Sequence, residues 1–231
     1  MENEFISTLL NTGNRCHRIF TTTDSDSGNG SKPKAWKKIP HAEWIPAQLL
    51  QYGLEINGCM TEWKSKDDGS GRPACTGRFD FKPLEVIYGN WHRELGLVDE
   101  PATSRMHHFK VVDLATSYLV VGLYHDEAQD AGLYVYEPGG GAAPYPLHLD
   151  LSGYVQLLAH SLGYAYWQLA LLALLPDDGQ NPAYRTYVDL TAEFRHALSA
   201  WNPAFEYDAF AALYKERQLK NYTPSSKLTG R

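Results

Sequence analysis

The stretch SYLVVGLYHDEAQDAGLYVYEPGGG, Ser117–Gly141, sets two apolar, tyrosine-bearing segments on either side of a charged loop and closes on three consecutive glycines. Within it Leu133 and Val135 alternate with Tyr134 and Tyr136, the period-two pattern of a strand with one face in a core. The pattern extends outward in both directions. HHFKVVDL (His107–Leu114), Ser117–His125, Ala131–Pro138 and YPLHLDL (Tyr145–Leu151) are four runs rich in Val, Leu and Tyr, separated by turn residues. Such a series predicts an antiparallel meander with a half-exposed face. The triple glycine falls between two of these strands. A phosphate-cradling loop needs G-x-x-x-x-G-K-[ST], or G-x-G-x-x-G leading into a helix, so Gly139–Gly141 reads as a flexible hairpin connection.

Helical patterns flank the strands. Tyr154–Leu175 is long enough to span a bilayer, but Gln156, His160, Ser161 and Gln168 interrupt it and no basic cluster follows. It reads as a long buried helix, capped by Asp150 or Ser152 through a side-chain oxygen and stopped at Pro176. Thr186–Trp201 and Ala204–Leu219 read as further amphipathic helices. On the N-terminal side, Glu2–Leu10 predicts a short helix, Thr21–Lys34 a flexible linker, His41–Ile56 a helix with Pro46 in its first turn, Ser65–Pro73 a turn-rich loop, and Lys82–Leu95 a helix or mixed segment. Segregated blocks of helices and strands indicate an α+β fold, an antiparallel β-meander sheet flanked by helices with additional C-terminal helices. The expected organisation is an N-terminal helix and linker over 1–40, one α+β domain over 41–220, and a frayed tail over 221–231.

The 231 residues carry a formal charge of −6. Non-specific nucleic-acid binding needs Lys and Arg to neutralise phosphates, so that class is disfavoured. Three cysteines without C-x-x-C spacing point to a reducing compartment. The segment MENEFISTLL lacks the basic region and apolar core of a signal peptide. A cytoplasmic chain with no membrane association is expected.

Candidate chemistries are sparse. There is no HExxH or C-x-x-C, and no G-x-S-x-G nucleophile elbow. The adjacent His107 and His108 would point to opposite faces of a strand. No catalytic group, metal site or cofactor is therefore expected. Charge is unevenly spread: residues 78–137 hold ten acids against five bases, −5 of the chain's −6. Asp126, Glu127 and Asp130 share one turn, with Tyr124, Tyr134 and Tyr136 on the adjoining strands. Negative charge beside exposed aromatics is a footprint for a basic protein partner, through steering and aromatic anchoring. These six residues are the candidate partner-binding set. The alternative is a metal- or small-ligand-binding enzyme built on His107, His108, His125, Asp126 and Glu127.

The run VVDLATSYLVVGLY, the strand GLYVYE and the segment YPLHLDLSGYVQLLAHSL resemble the SUKH superfamily, with Leu119–Gly122, Leu133–Tyr136 and Asp150–Leu158 as the corresponding positions. Upstream, IPAQLLQYGLEINGCMTEW, with Gly58 and Trp63, is similar to that family's early helix and glycine turn. The resemblance covers about half the chain. It implies a helix-flanked antiparallel sheet and a binding role. Many bacterial members resemble immunity proteins that neutralise toxins, often nucleases, and fungal relatives regulate cell-wall assembly. On this basis the expected function is a non-catalytic immunity-type module that neutralises a basic toxin domain by stoichiometric binding.

Overall fold

Among the described residues, seven strands follow one another across a single antiparallel sheet in chain order, β1 to β7. The computed structural model describes residues 4–19, 21–23, 38–65, 69, 71, 74–97, 100–140, 142–175 and 184–219. The strands are β1 Thr21–Thr23, β2 Cys59–Lys64, β3 Thr76–Phe81, β4 Phe109–Asp113, β5 Val120–Tyr124, β6 Tyr134–Tyr136 and β7 Tyr145–Pro146. The helices are α1 Glu4–Ile19, α2 Ala47–Glu55, α3 Leu84–Ile87, α4 Leu151–Ser161, α5 Trp167–Leu172, α6 Tyr184–Trp201 and α7 Tyr207–Arg217. The α+β class and the meander of the last four strands match the pattern in the sequence. The expected linker does not begin at Thr21, because Thr21–Thr23 pair with Glu62–Lys64. The rest of that linker and the tail from 221 lie outside the described residues.

One face of the sheet packs on the helices. Cys59 and Trp63 of β2, Phe79 and Phe81 of β3, Val112, Val121, Leu123 and Val135 join α1, α2, α4, α6 and α7 residues in one buried cluster. Helix α1 runs to Ile19, well beyond the expected Leu10, and Leu9, Thr12 and Cys16 are buried. Arg15 donates from Nη1 to the Ala159 carbonyl of α4 at 3.1 Å. In the 41–56 region, Ala42–Trp44 form a 3-10 turn and α2 starts only at Ala47. Pro46 takes the N-cap position, where its missing N–H costs nothing. The 82–95 segment resolves into the four-residue α3 followed by turns.

The other face was expected to be half-exposed. It is instead covered by the chain between β3 and β4. Trp91, Leu95 and Leu97 pack on Phe109, Val111, Val120, Tyr124 and Tyr134, with Met106 and Tyr136 at the margin.

The long apolar helix is also not continuous. Leu162, Gly163 and Tyr166 take φ of 53°, 67° and 64°, a left-handed break that separates α4 from α5. The break has a clear cause. Residues 76–78 of β3 extend beyond β4, whose only register pair with β3 is Phe81 with Asp113. The chain at 163–165 fills that open edge: Arg78 N donates to Gly163 O at 2.7 Å, Ala165 N donates to Thr76 O at 2.9 Å, and Gly77 bridges Tyr164. Trp63, lying flat across Gly77, donates from Nε1 to Leu162 O at 2.7 Å. Asp150 caps α4 as expected, accepting from Gly153 N at 2.8 Å. No helix among the described residues is long and apolar enough to cross a membrane.

The seam between β3 and β4 is completed by a side chain. Asp113, fully buried at a β-bulge, accepts from Asp80 N at 2.7 Å through Oδ1 and from the Tyr154 hydroxyl at 2.7 Å through Oδ2. Gln168 Nε2 donates to the same hydroxyl at 2.9 Å. A carboxylate thus replaces ladder hydrogen bonds that the bulge removes.

Candidate functional site

The charged turn of the β5–β6 hairpin is organised inward. Asp126 pairs with Arg105 from the 3-10 turn before β4, and its Oδ1 accepts from Ala128 N at 3.1 Å. The Arg105 guanidinium lies 3.9 Å from the centre of the Tyr124 ring, a cation–π contact. Tyr124 meets Tyr134 edge-on at 4.9 Å. The Tyr134 hydroxyl donates to Asp130 Oδ2 at 2.6 Å, and Asp130 Oδ1 accepts from Gly132 N at 2.8 Å. Tyr124 and Tyr134 are 5% and 4% exposed. They are core residues of the covered face, not the exposed anchors their alternation suggested, because residues 91–97 lie over them. Burial pushes the Tyr124 phenol well above its ordinary range, and Asp126 more than offsets burial to raise Arg105. Of the three acids only Glu127 is fully exposed. Asp126 gives its charge to Arg105 across the turn before β4, and Asp130 gives its lone pairs to Gly132 and Tyr134 of its own hairpin.

Tyr136, the sixth candidate, is at the other end of β6. It is half-buried beside a crevice of about 180 Å³ lined by Leu119, Val135, Glu137, Tyr145 and Tyr187. Burial, and then the nearby Glu100 carboxylate, push its phenol up. Glu137 and Glu100 are both exposed. Next to the crevice, the β4–β5 hairpin presents Tyr118, 69% exposed, the barest of the large apolar side chains described. That tip is held by Thr116, whose N–H donates to Leu119 O at 3.1 Å and whose Oγ1 accepts from Tyr118 N at 3.1 Å. The glycine-rich stretch frames the same crevice. Gly140 N donates to Glu137 O at 3.0 Å, with Pro138 and Gly139 between them and Gly139 at φ 82°. Proline followed by a positive-φ glycine is the signature of a type II turn. Gly139 and Gly140 therefore serve a turn, and Gly139 supplies its left-handed residue.

No family model, curated protein or solved structure matches the chain.

The histidine and acidic residues weighed for metal or enzymatic chemistry are not gathered at one point. His125 turns its Nε2 to the Pro40 carbonyl at 2.9 Å and packs between Trp44 and Tyr88. Its Nδ1 is buried without a hydrogen bond, and burial lowers its pKa. Asp126 faces Arg105, Glu127 and His108 face solvent, and His107 turns toward His92. His107 and His108 sit on a 3-10 turn, Arg105–His108, rather than on a strand. No group of three His, Cys, Asp or Glu side chains able to hold a metal occurs among the described residues.

The three cysteines are free and buried. Burial pushes the Cys16 and Cys59 thiols up to about 12 and Cys75 to about 11. Thiolate is the reactive form, so the native protein should react slowly with an aromatic disulfide reagent at pH 8 and release three equivalents once unfolded. A fast native equivalent would contradict this packing.

The sequence pattern missed Glu100 as a neighbour of Tyr136 and Tyr118 as the exposed aromatic at this end of the sheet. The signal available was Tyr118 directly after the polar pair Thr116–Ser117 in a short connection, where no core position is offered.

Proposed function

We propose that the chain is a non-catalytic protein-binding module of the immunity type, which neutralises a basic toxin domain by covering it stoichiometrically. The supporting observation is the end of the sheet where the bare Tyr118 adjoins Leu119 of the Tyr136 crevice, with Glu137 in the crevice lining and Glu100 near the Tyr136 phenol. Aromatic side chains set beside a pocket are the usual anchors of protein interfaces, and rim charges steer association. The immunity reading rests on the SUKH resemblance of the same strands. The acidic, aromatic character expected of the Asp126 turn is thus moved to the opposite end of the hairpins.

The reading expects a toxin gene beside this one, and the test purifies the toxin domain such a neighbour encodes and mixes it with the full chain. A one-to-one complex and loss of toxicity are expected. Tyr118→Ala should speed dissociation, costing about 2 kcal/mol or roughly thirtyfold in Kd. Glu137→Lys should slow association at low salt and much less at high salt. Toxicity left intact by the wild-type chain would reject the immunity reading. Unchanged kinetics in both variants of a working complex would reject this surface.

A further inference from the structure

Two histidines meet on the cover of the outer face. His92 lies on the turn after Trp91, and His107 on the 3-10 turn before β4. Both are half-buried and reachable from solvent, while Trp91, Leu95 and Phe109 beside them in the chain anchor the cover to the sheet. His107 Nε2 is 3.0 Å from the Pro101 carbonyl oxygen. A carbonyl only accepts, so that nitrogen carries the proton and Nδ1 is left as a lone pair. Nδ1 is 3.2 Å from His92 Nε2.

This is the way metal-ligating histidines are set: one ring N–H donated to a backbone carbonyl, the other nitrogen bare and oriented. On a tetrahedral zinc with Zn–N of about 2.0–2.1 Å, two ligand nitrogens stand about 3.3–3.4 Å apart. The separation of His107 Nδ1 and His92 Nε2 is already within a few tenths of an ångström of that edge. We propose that His92 and His107 form a two-histidine site for Zn²⁺ or a similar divalent transition metal, with water completing the sphere. The ligand set is imidazole, which suits zinc, copper and nickel over magnesium or calcium. On binding, the His92 proton moves from Nε2 to Nδ1 and the freed Nε2 lone pair turns to the ion. With two protein ligands the site is an exchangeable one. Its effect is to tie residues 91–97 to the 105–108 turn across the covered face.

Calorimetric titration of the full chain with zinc chloride at pH 7.5 tests the site, beside thermal melts with zinc and with EDTA. One equivalent should bind, and zinc should raise the melting temperature because it binds only the folded form. His92→Gln and His107→Gln should each weaken binding by about tenfold or more and abolish the thermal shift. Melts in EDTA check that both variants fold, and His108→Gln should bind as the wild type does. Absence of binding at millimolar zinc, or zinc binding unchanged in the His92→Gln/His107→Gln double variant, would overturn the proposal.

Discussion

Gly122→Ala is expected to cost the protein about 3 kcal/mol or more, and Gly122→Val to prevent folding. Gly122 sits mid-strand in β5, paired with Val111 on one side and Tyr134 on the other. A Cβ there would lie 2.3 Å from the Lys110 carbonyl oxygen and 2.8 Å from the Phe109 ring. The ring can move only by leaving the outer cluster, and the carbonyl only by distorting the β4–β5 ladder. Overpacking a core costs about 1–3 kcal/mol when side chains can adjust, and here one contact is backbone. Urea unfolding of Gly122→Ala measures the loss. Gly139→Asn is the control: its φ is 82°, nothing lies within 4 Å, and asparagine accepts that turn position. Wild-type stability in Gly122→Ala would mean that Phe109 does not lie across β5.

The second large effect is a pH dependence centred on Asp113. Complete burial pushes its carboxyl up to about 6, against the Asp80 amide and Tyr154 hydroxyl that favour the charged form. An unfolded aspartate titrates near 3.9. The folded chain therefore holds this proton more tightly, and the contribution is fully favourable below about pH 4 and lost as pH rises toward 6. The difference is about 3 kcal/mol by linkage. Asp113→Asn removes the titration. Its carbonyl can still accept from Asp80 N, its amide can donate to the Tyr154 oxygen, and Gln168 Oε1, which has no partner now, can take the hydroxyl proton after an amide flip. Relative to wild type, Asp113→Asn should gain about 2–3 kcal/mol between pH 4 and pH 7.5. Asp113→Ala should be destabilised at every pH, by about 1–3 kcal/mol for each group left unpaired. Parallel stability curves for wild type and Asp113→Asn would refute the burial of this charge.

Reading the sequence reached the C-terminal half of the sheet because Val121, Leu123, Leu133 and Val135 all serve one face. It passed over β2 and β3, where Glu62, Lys64, Arg78 and Asp80 dilute the apolar signal. Arg78 and Lys82 both reach Asp80 at 2.7 Å, so the charges belong to the strand's outer surface. The α4–α5 break was hidden because Leu162 and Tyr166 are ordinary residues in left-handed conformation, and only Gly163 hinted at it. Tyr124 and Tyr134 alternate like surface residues. What buries them, Trp91 to Leu97, has no periodicity and comes from a segment distant in sequence. The pairing of Arg105 with Asp126 and of His92 with His107 likewise depends on side chains converging across turns. The alternation placed Tyr136 on the outward side of its strand, but the crevice it lines was not legible.

The hold of α1 on α4 has a consequence for biosynthesis. Arg15 and Ala159 are 144 residues apart, and Cys16 reaches Leu162 O at 3.6 Å over a similar interval. A helix of this length is marginal in water by itself. At about 5–20 residues per second of translation, α1 waits on the order of ten seconds before its docking surface has been made. During that wait Leu9 and Cys16 are open to chaperones or to other nascent chains. The earliest of the described elements to leave the ribosome is thereby among the last to be locked.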